Sequence, residues 1–167
     1  VLSGSINGLI GKLFSAGKNQ EIEDIYKHLK KKFENNFYIE IQRHEDQNEK
    51  SFEIFNLNLS KELQIPIIAT NEVYYLTKDM HHAHEALMCI GNKTYLNDPS
   101  REKLSNNHYL KSSDEMKKLF KDLPEALENN YHLSKRCSYR PKSSNPILPN
   151  ISSNKDGNAD QILRNLS

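Results

Sequence analysis

The sequence predicts an α/β fold, and three observations carry that expectation. Short runs rich in β-branched and aromatic residues, Phe37–Gln42 and Pro66–Thr70, read as strands. Stretches with apolar residues three and four apart flank and separate them. Over residues 1–91 the order is strand end, helix, helix, strand, helix, strand, helix, the alternation of a parallel sheet or barrel.

Val1-Leu2 is the tail of a strand, and Ser3-Gly4-Ser5 is the turn after it. Leu9, Ile10, Leu13 and Phe14 share one helical face, and Gly17 stops that helix. The next helix, about Gln20–Glu34, turns Ile22, Ile25, Tyr26, Leu29 and Phe33 inward. Its acidic start and its basic end (Lys30, Lys31, Lys32) suit the helix dipole. In the strand that follows, Glu40 points away from Ile39 and Ile41. A helix over about Asn48–Leu63 presents Phe52, Phe55, Leu59 and Leu63.

The stretch Ile65–Gly91 organises the rest. Ile67-Ile68-Ala69-Thr70 reads as a strand buried on both faces, closed by polar Asn71-Glu72. In parallel sheets the C-terminal strand ends are where side chains meet ligands. Thr77 and Asp79 are the expected caps of the following helix, with Met80, Ala83, Leu87, Met88 and Ile90 as its inward face and Gly91 as its stop.

The second half changes character. Asn92–Tyr109 is a polar loop, Ser112 with Glu115 forms a capping box, and Pro124 opens a helix reaching Arg136 with Ala126, Leu127, Tyr131 and Leu133 inward. Residues 141–157 have a linker's composition. The domain organisation expected is residues 1–108 as βα units, 109–140 as a helical segment, and 141–167 as linker and the start of a further helix.

Length and charge bound the function. The 167 residues suit one domain or a large piece of one, and 36% hydrophobic residues allow a modest core. The first residue is Val, and Asp160–Leu166 reads as a helix cut short, so a fragment is expected. With 23 basic and 22 acidic residues the chain has no overall basic field for nucleic acid. It has no apolar run of 18 residues, and a soluble protein is expected. Cys89 and Cys137 are too few and too distant for a disulfide framework, so both are expected to be small buried hydrophobes in a reducing compartment.

The motifs with chemical possibilities are weak one by one. Gly11–Asn19 has the wrong glycine spacing for a phosphate loop, and Asn19 stands where a magnesium-binding hydroxyl would be needed. His81, His82 and His84 with Glu85 contain no i, i+4 histidine pair, and a satisfied or solvated set is expected. His28, His44, His108 and His132 are scattered in sequence and form no constellation. Glu40 and Glu72 are the best candidates for paired acid–base carboxylates, each in or at the end of a buried strand.

Joint order makes a stronger signal. LSGS at 2–5, FYIEIQRH at 37–44, IPIIATNEVYYL at 65–76, AHEALMCI at 83–90, YLKSSDEMKKLFKDLPEALENN at 109–130 and SKRC at 134–137 follow one another in sequence. Together they resemble the bacterial replicative DNA polymerase III alpha subunit family. The match covers the last part of its PHP (polymerase and histidinol phosphatase) domain and the entry to the polymerase core.

The resemblance implies the C-terminal portion of a distorted PHP-type (β/α)7 barrel, followed by an all-helical segment leading to the polymerase core. It places Ser5, Glu72 and Tyr74 at family metal-ligand positions, where the metal-binding pattern has cysteine, aspartate and histidine. A serine hydroxyl and a phenol with a pKa of about 10 are poor substitutes for thiolate and imidazole. The resemblance therefore implies no metal site and no catalytic residue here, and a structural role beneath a DNA-directed DNA polymerase. The Mg²⁺ expected for the parent's palm belongs beyond residue 167. The partners implied are the proofreading exonuclease subunit and other replicase subunits, with DNA reached through the parent, no membrane, and a cytoplasmic setting. An active metal-dependent PHP phosphoesterase or nuclease is the alternative, resting on Glu72. A stand-alone helical adaptor using residues 109–137 is a third. A barrel lacking its first strands should also expose a sheet edge.

Overall fold

The computed structural model describes residues 1–101, 103–147, 161 and 163–164. These fall into two compact units, Val1–Cys137 and Ser138–Ser167. In the second, residues 138–147 have no regular secondary structure, and the expected linker otherwise lies mostly outside the described residues.

The first unit is a mixed α/β structure of six helices and a small parallel sheet. Its elements are α1 (Leu9–Ser15), α2 (Asn19–Phe33), β1 (Ile39–Ile41), α3 (Glu49–Leu63), β2 (Ile67–Ala69), α4 (His81–Asn92), α5 (Ser113–Leu119) and α6 (Pro124–Arg136). β1 and β2 pair in parallel with Ile39 opposite Ile67 and Ile41 opposite Ala69. A parallel pair needs a crossover, and α3 supplies it. Leu2 forms a parallel bridge to Tyr38, so the predicted strand tail lies beside β1.

The core forms where the helical and strand periodicities meet. Ile22 and Tyr26 of α2, Phe52 and Leu59 of α3, and Ile39, Ile41, Ile67 and Ala69 of the strands are all buried in one cluster. Phe120, after α5, and Ala126 of α6 are fully buried in the same cluster. Residues 109–137 thus pack onto the α/β layer rather than standing apart, which removes the basis of the adaptor reading. Gly11 permits a close approach between α1 and the turn that precedes it, because a Cβ there would sit 1.9 Å from the Ile6 carbonyl oxygen.

The capping box at α5 is present in full. Ser112 Oγ accepts from the Glu115 N–H, and the Glu115 carboxylate accepts from the Ser112 N–H. The edge of β2 that faces away from β1 is met by side chains of α6. Asn129 Nδ2 donates to the Ile67 carbonyl at 2.8 Å and Asn130 Nδ2 to the Ala69 carbonyl at 2.6 Å.

Several local expectations are corrected. α4 begins at His81 after a 3₁₀ turn, without a side-chain cap, and runs past Gly91 to end at Lys93 in the left-handed region. Its apolar stripe faces outward: Met80, Leu87, Met88 and Ile90 are all exposed, and Cys89 is its buried residue. The reason lies on the opposite face, where the 93–108 loop engages His81 and Glu85 through the Leu104 carbonyl and Arg101. Cys137 is exposed rather than buried, and so is Tyr131.

Candidate functional site

Both parallel strands end at the same place. β1 runs on through Gln42 and Arg43 to His44, β2 runs on to Asn71 and Glu72, and the loop before α5 returns His108 between them. Parallel strands place their C-terminal ends side by side, so His44 meets Asn71 and Glu72, and the loop before α5 adds His108, 64 positions further on.

His44 and His108 lie parallel, ring centroids 4.1 Å apart and planes within 5°, and each is 1% exposed. Each ring has its own carboxylate. His44 Nδ1 is 3.1 Å from Glu49 Oε1, and His108 Nε2 is 2.8 Å from Asp46 Oδ2. Glu49, the first residue of α3, also accepts the backbone N–H groups of His44 and Glu45 at 2.6 and 2.8 Å. A carboxylate in a first helical turn is favoured by the dipole as well.

The remaining nitrogens meet the end of β2. His108 Nδ1 is 3.2 Å from the Glu72 carbonyl oxygen, so both of its nitrogens face acceptors, and both donate only in the imidazolium form. His44 Nε2 lies 3.2 Å from both the Glu72 N–H and Asn71 Oδ1. Burial would raise the Asp46 pKa, but the Ser105 N–H and His108 outweigh it and hold the carboxyl below its usual range. Lys111 donates to Asn71 Oδ1 at 3.0 Å and to the Asn107 carbonyl, and burial lowers its pKa.

The donor atoms of His44, Asp46 and His108 all lie within 4.8 Å of one another. Their protein hydrogen bonds and the parallel stacking favour a buried clasp, since stacked rings direct their lone pairs side by side rather than toward one point. A second trio, His81, His82 and Glu85, also lies within 4.8 Å, but Arg101 approaches Glu85 Oε1 at 2.7 Å and supplies its countercharge. Beside the clasp a cleft of about 900 Å³ is lined by Arg43, Asp46, Glu49, Lys111, Glu115 and Asp122, among others.

The residues singled out in the sequence fall in different surroundings. Tyr74 Oη donates to Glu72 Oε1 at 2.7 Å, so these two meet, and the Tyr74 ring stacks on His84 at 5.1 Å. Ser5 lines a separate cavity with Glu40 and Asn56. Glu40 accepts from Thr70 and from Gln42, whereas Glu72 accepts from Tyr74, so the two carboxylates have different partners. Sequence reasoning missed the His44–His108 pair entirely. Its one signal was position, since His44 and Asn71-Glu72 each lie just beyond a strand's C-terminal end.

No protein-family model matches the chain. Similar proteins include the DNA polymerase III subunit alpha of Rickettsia bellii (strain RML369-C), 38% identical over 157 residues, which cover 94% of this chain and 13% of that protein. The DNA polymerase III subunit alpha of Caulobacter vibrioides is 34% identical over 151 residues, 90% of this chain and 13% of that protein. That of Campylobacter jejuni is 42% identical over 123 residues, 73% of this chain and 10% of that protein. Over these residues the chain belongs to the bacterial DNA polymerase III alpha subunit family, and it spans only about an eighth of the length of the relatives it matches.

Proposed function

We propose that this chain is a segment of a replicative DNA-directed DNA polymerase, the DNA polymerase III alpha subunit, and that its role there is structural. The observation that carries the reading is similarity of 34–42% identity to proteins of that name over 73–94% of the chain. In the finer reading, residues 1–108 are the last βα units of a PHP-type barrel, 109–140 a helical segment, and 141–167 the approach to the polymerase core. The parallel β1–α3–β2 unit, with its functional-looking residues at the strand ends, supports this placement.

Ser5, Glu72 and Tyr74 hold no catalytic metal in this reading. A hydroxyl is a poor ligand at neutral pH, and the Tyr74 phenol spends its proton on Glu72. The polymerase's Mg²⁺ and its template contacts then belong to other parts of the parent, and the proofreading exonuclease is the proposed partner. The setting is cytoplasmic, and among the described residues no helix is long and apolar enough to cross a membrane.

The test uses the purified full-length protein. Primer extension is expected, with much less than one equivalent of zinc or manganese outside the palm and co-elution with the exonuclease subunit. Absence of primer extension overturns the polymerase assignment, and a stoichiometric ion overturns the structural one. The hydrolase alternative draws on the close donors of His44, Asp46 and His108. It predicts metal-dependent phosphoester cleavage that survives loss of the palm carboxylates and disappears in Asp46→Asn.

A further inference from the structure

Asn56 sits midway along α3 and is 1% exposed. Its Oδ1 accepts from Tyr26 Oη at 2.9 Å, tying α3 to α2. Its Nδ2 is the one buried side-chain polar atom without a protein partner among the described residues. A buried amide donor rarely goes unanswered in a native protein. Asn56 also lines a small cavity of about 10 Å³ whose polar wall includes Ser5, Glu40, Gln42 and Glu49.

The chemistry of this wall leaves one class of ligand. A cation is disfavoured by the amide hydrogens of Asn56, and an anion by the Glu40 and Glu49 carboxylates. The space excludes an organic molecule. What fits is a neutral species of one heavy atom that both accepts and donates. We infer that the Asn56 cavity is a binding site for a single structural water, which accepts from Asn56 Nδ2 and donates to the polar wall.

The assignment survives rotation of the amide. Were Oδ1 and Nδ2 exchanged, Tyr26 Oη would accept in place of donating, and the atom turned to the cavity would be an acceptor that the same water satisfies by donating. The site would extend the Tyr26–Asn56 pair toward Glu49, the carboxylate that holds His44.

A crystal structure of the full-length protein, at a resolution that shows ordered water, tests it directly. The expected result is a full-occupancy density peak at about 2.7–3.2 Å from the Asn56 amide and from at least one wall oxygen. An empty cavity, or a protein oxygen moved in to meet the amide, overturns the inference. Oxygen-17 relaxation dispersion should lose one long-lived water in Asn56→Leu, and an unchanged count overturns the assignment to Asn56. Should that variant not fold, the wild-type density decides alone.

Discussion

Replacing Arg43 tests how the C-terminal helices are held to the α/β layer. Its guanidinium faces Glu53 through Nε and one terminal nitrogen, Asp122 through both terminal nitrogens at 2.7 and 2.8 Å, and the Leu119 carbonyl at 2.6 Å. It also lies 4.7 Å from the centre of the Phe120 ring. The Asp122 hydrogen bonds, and then those of Glu53, raise the Arg43 pKa further against the opposing effect of burial. The two arms differ in weight, however. Asp122 is 57% exposed, and solvent limits that arm to about 0–1 kcal/mol. Arg43 and Glu53 are 18% and 15% exposed, so removing the cation leaves a largely desolvated carboxylate without its partner. Arg43→Met should therefore cost about 3–5 kcal/mol. Arg43→Lys should fall between, because one ammonium cannot reproduce the planar fork to two carboxylates. The assay is urea unfolding of the full-length protein, followed by a probe on this unit, with the midpoint falling and the slope unchanged. In Arg43→Met/Glu53→Leu both charges are gone, and much of the loss should return. A single-variant loss below about 1 kcal/mol would refute the argument, because the pair would then be behaving as a surface ion pair.

Other perturbations have equally definite outcomes. Gly11→Ala drives a Cβ into the Ile6 carbonyl and should lower stability by about 1–3 kcal/mol or more, read from the same unfolding curves. The Ser112 N–H first, then the Tyr109 and Ser112 hydroxyls, pull the Glu115 pKa down to about 2. Its contribution is therefore complete above the unfolded pKa of about 4.3 and fades as pH falls toward 2, which Glu115→Gln should abolish in an acid titration of helicity. Asp46 is likewise held low, so its contribution is present above the ordinary aspartate range and disappears on acidification. Asp46→Asn should flatten the acid limb of stability against pH, and an unchanged limb would contradict the clasp. Asn130→Ala strands the Ala69 carbonyl and should cost about 1–3 kcal/mol, measured by thermal or urea unfolding.

Local periodicity made much of the scaffold legible. Ile22 and Tyr26, Phe52 and Leu59, and the run from Ile67 to Ala69 announced their buried faces through spacing alone, and Ser112 with Glu115 announced a helix start. α4 shows where that logic ends. Spacing identifies residues that share a face, but not which face finds a neighbour, and here Arg101 and Leu104 engage the polar one. The His44–His108 stack was illegible for a different reason. Nothing local links two histidines 64 residues apart; their contact exists because β1 and β2 are parallel and the 93–108 loop turns back over their ends.

The paired asparagines of α6 have a wider consequence. Along a strand, carbonyls two residues apart point the same way, so those of Ile67 and Ala69 both look away from β1, toward where another strand would dock. Two carboxamides answer them in place of a neighbour's main chain. An incoming polypeptide would have to evict both amides before gaining its first rung there, which makes this margin a poor seed for fibre-like growth.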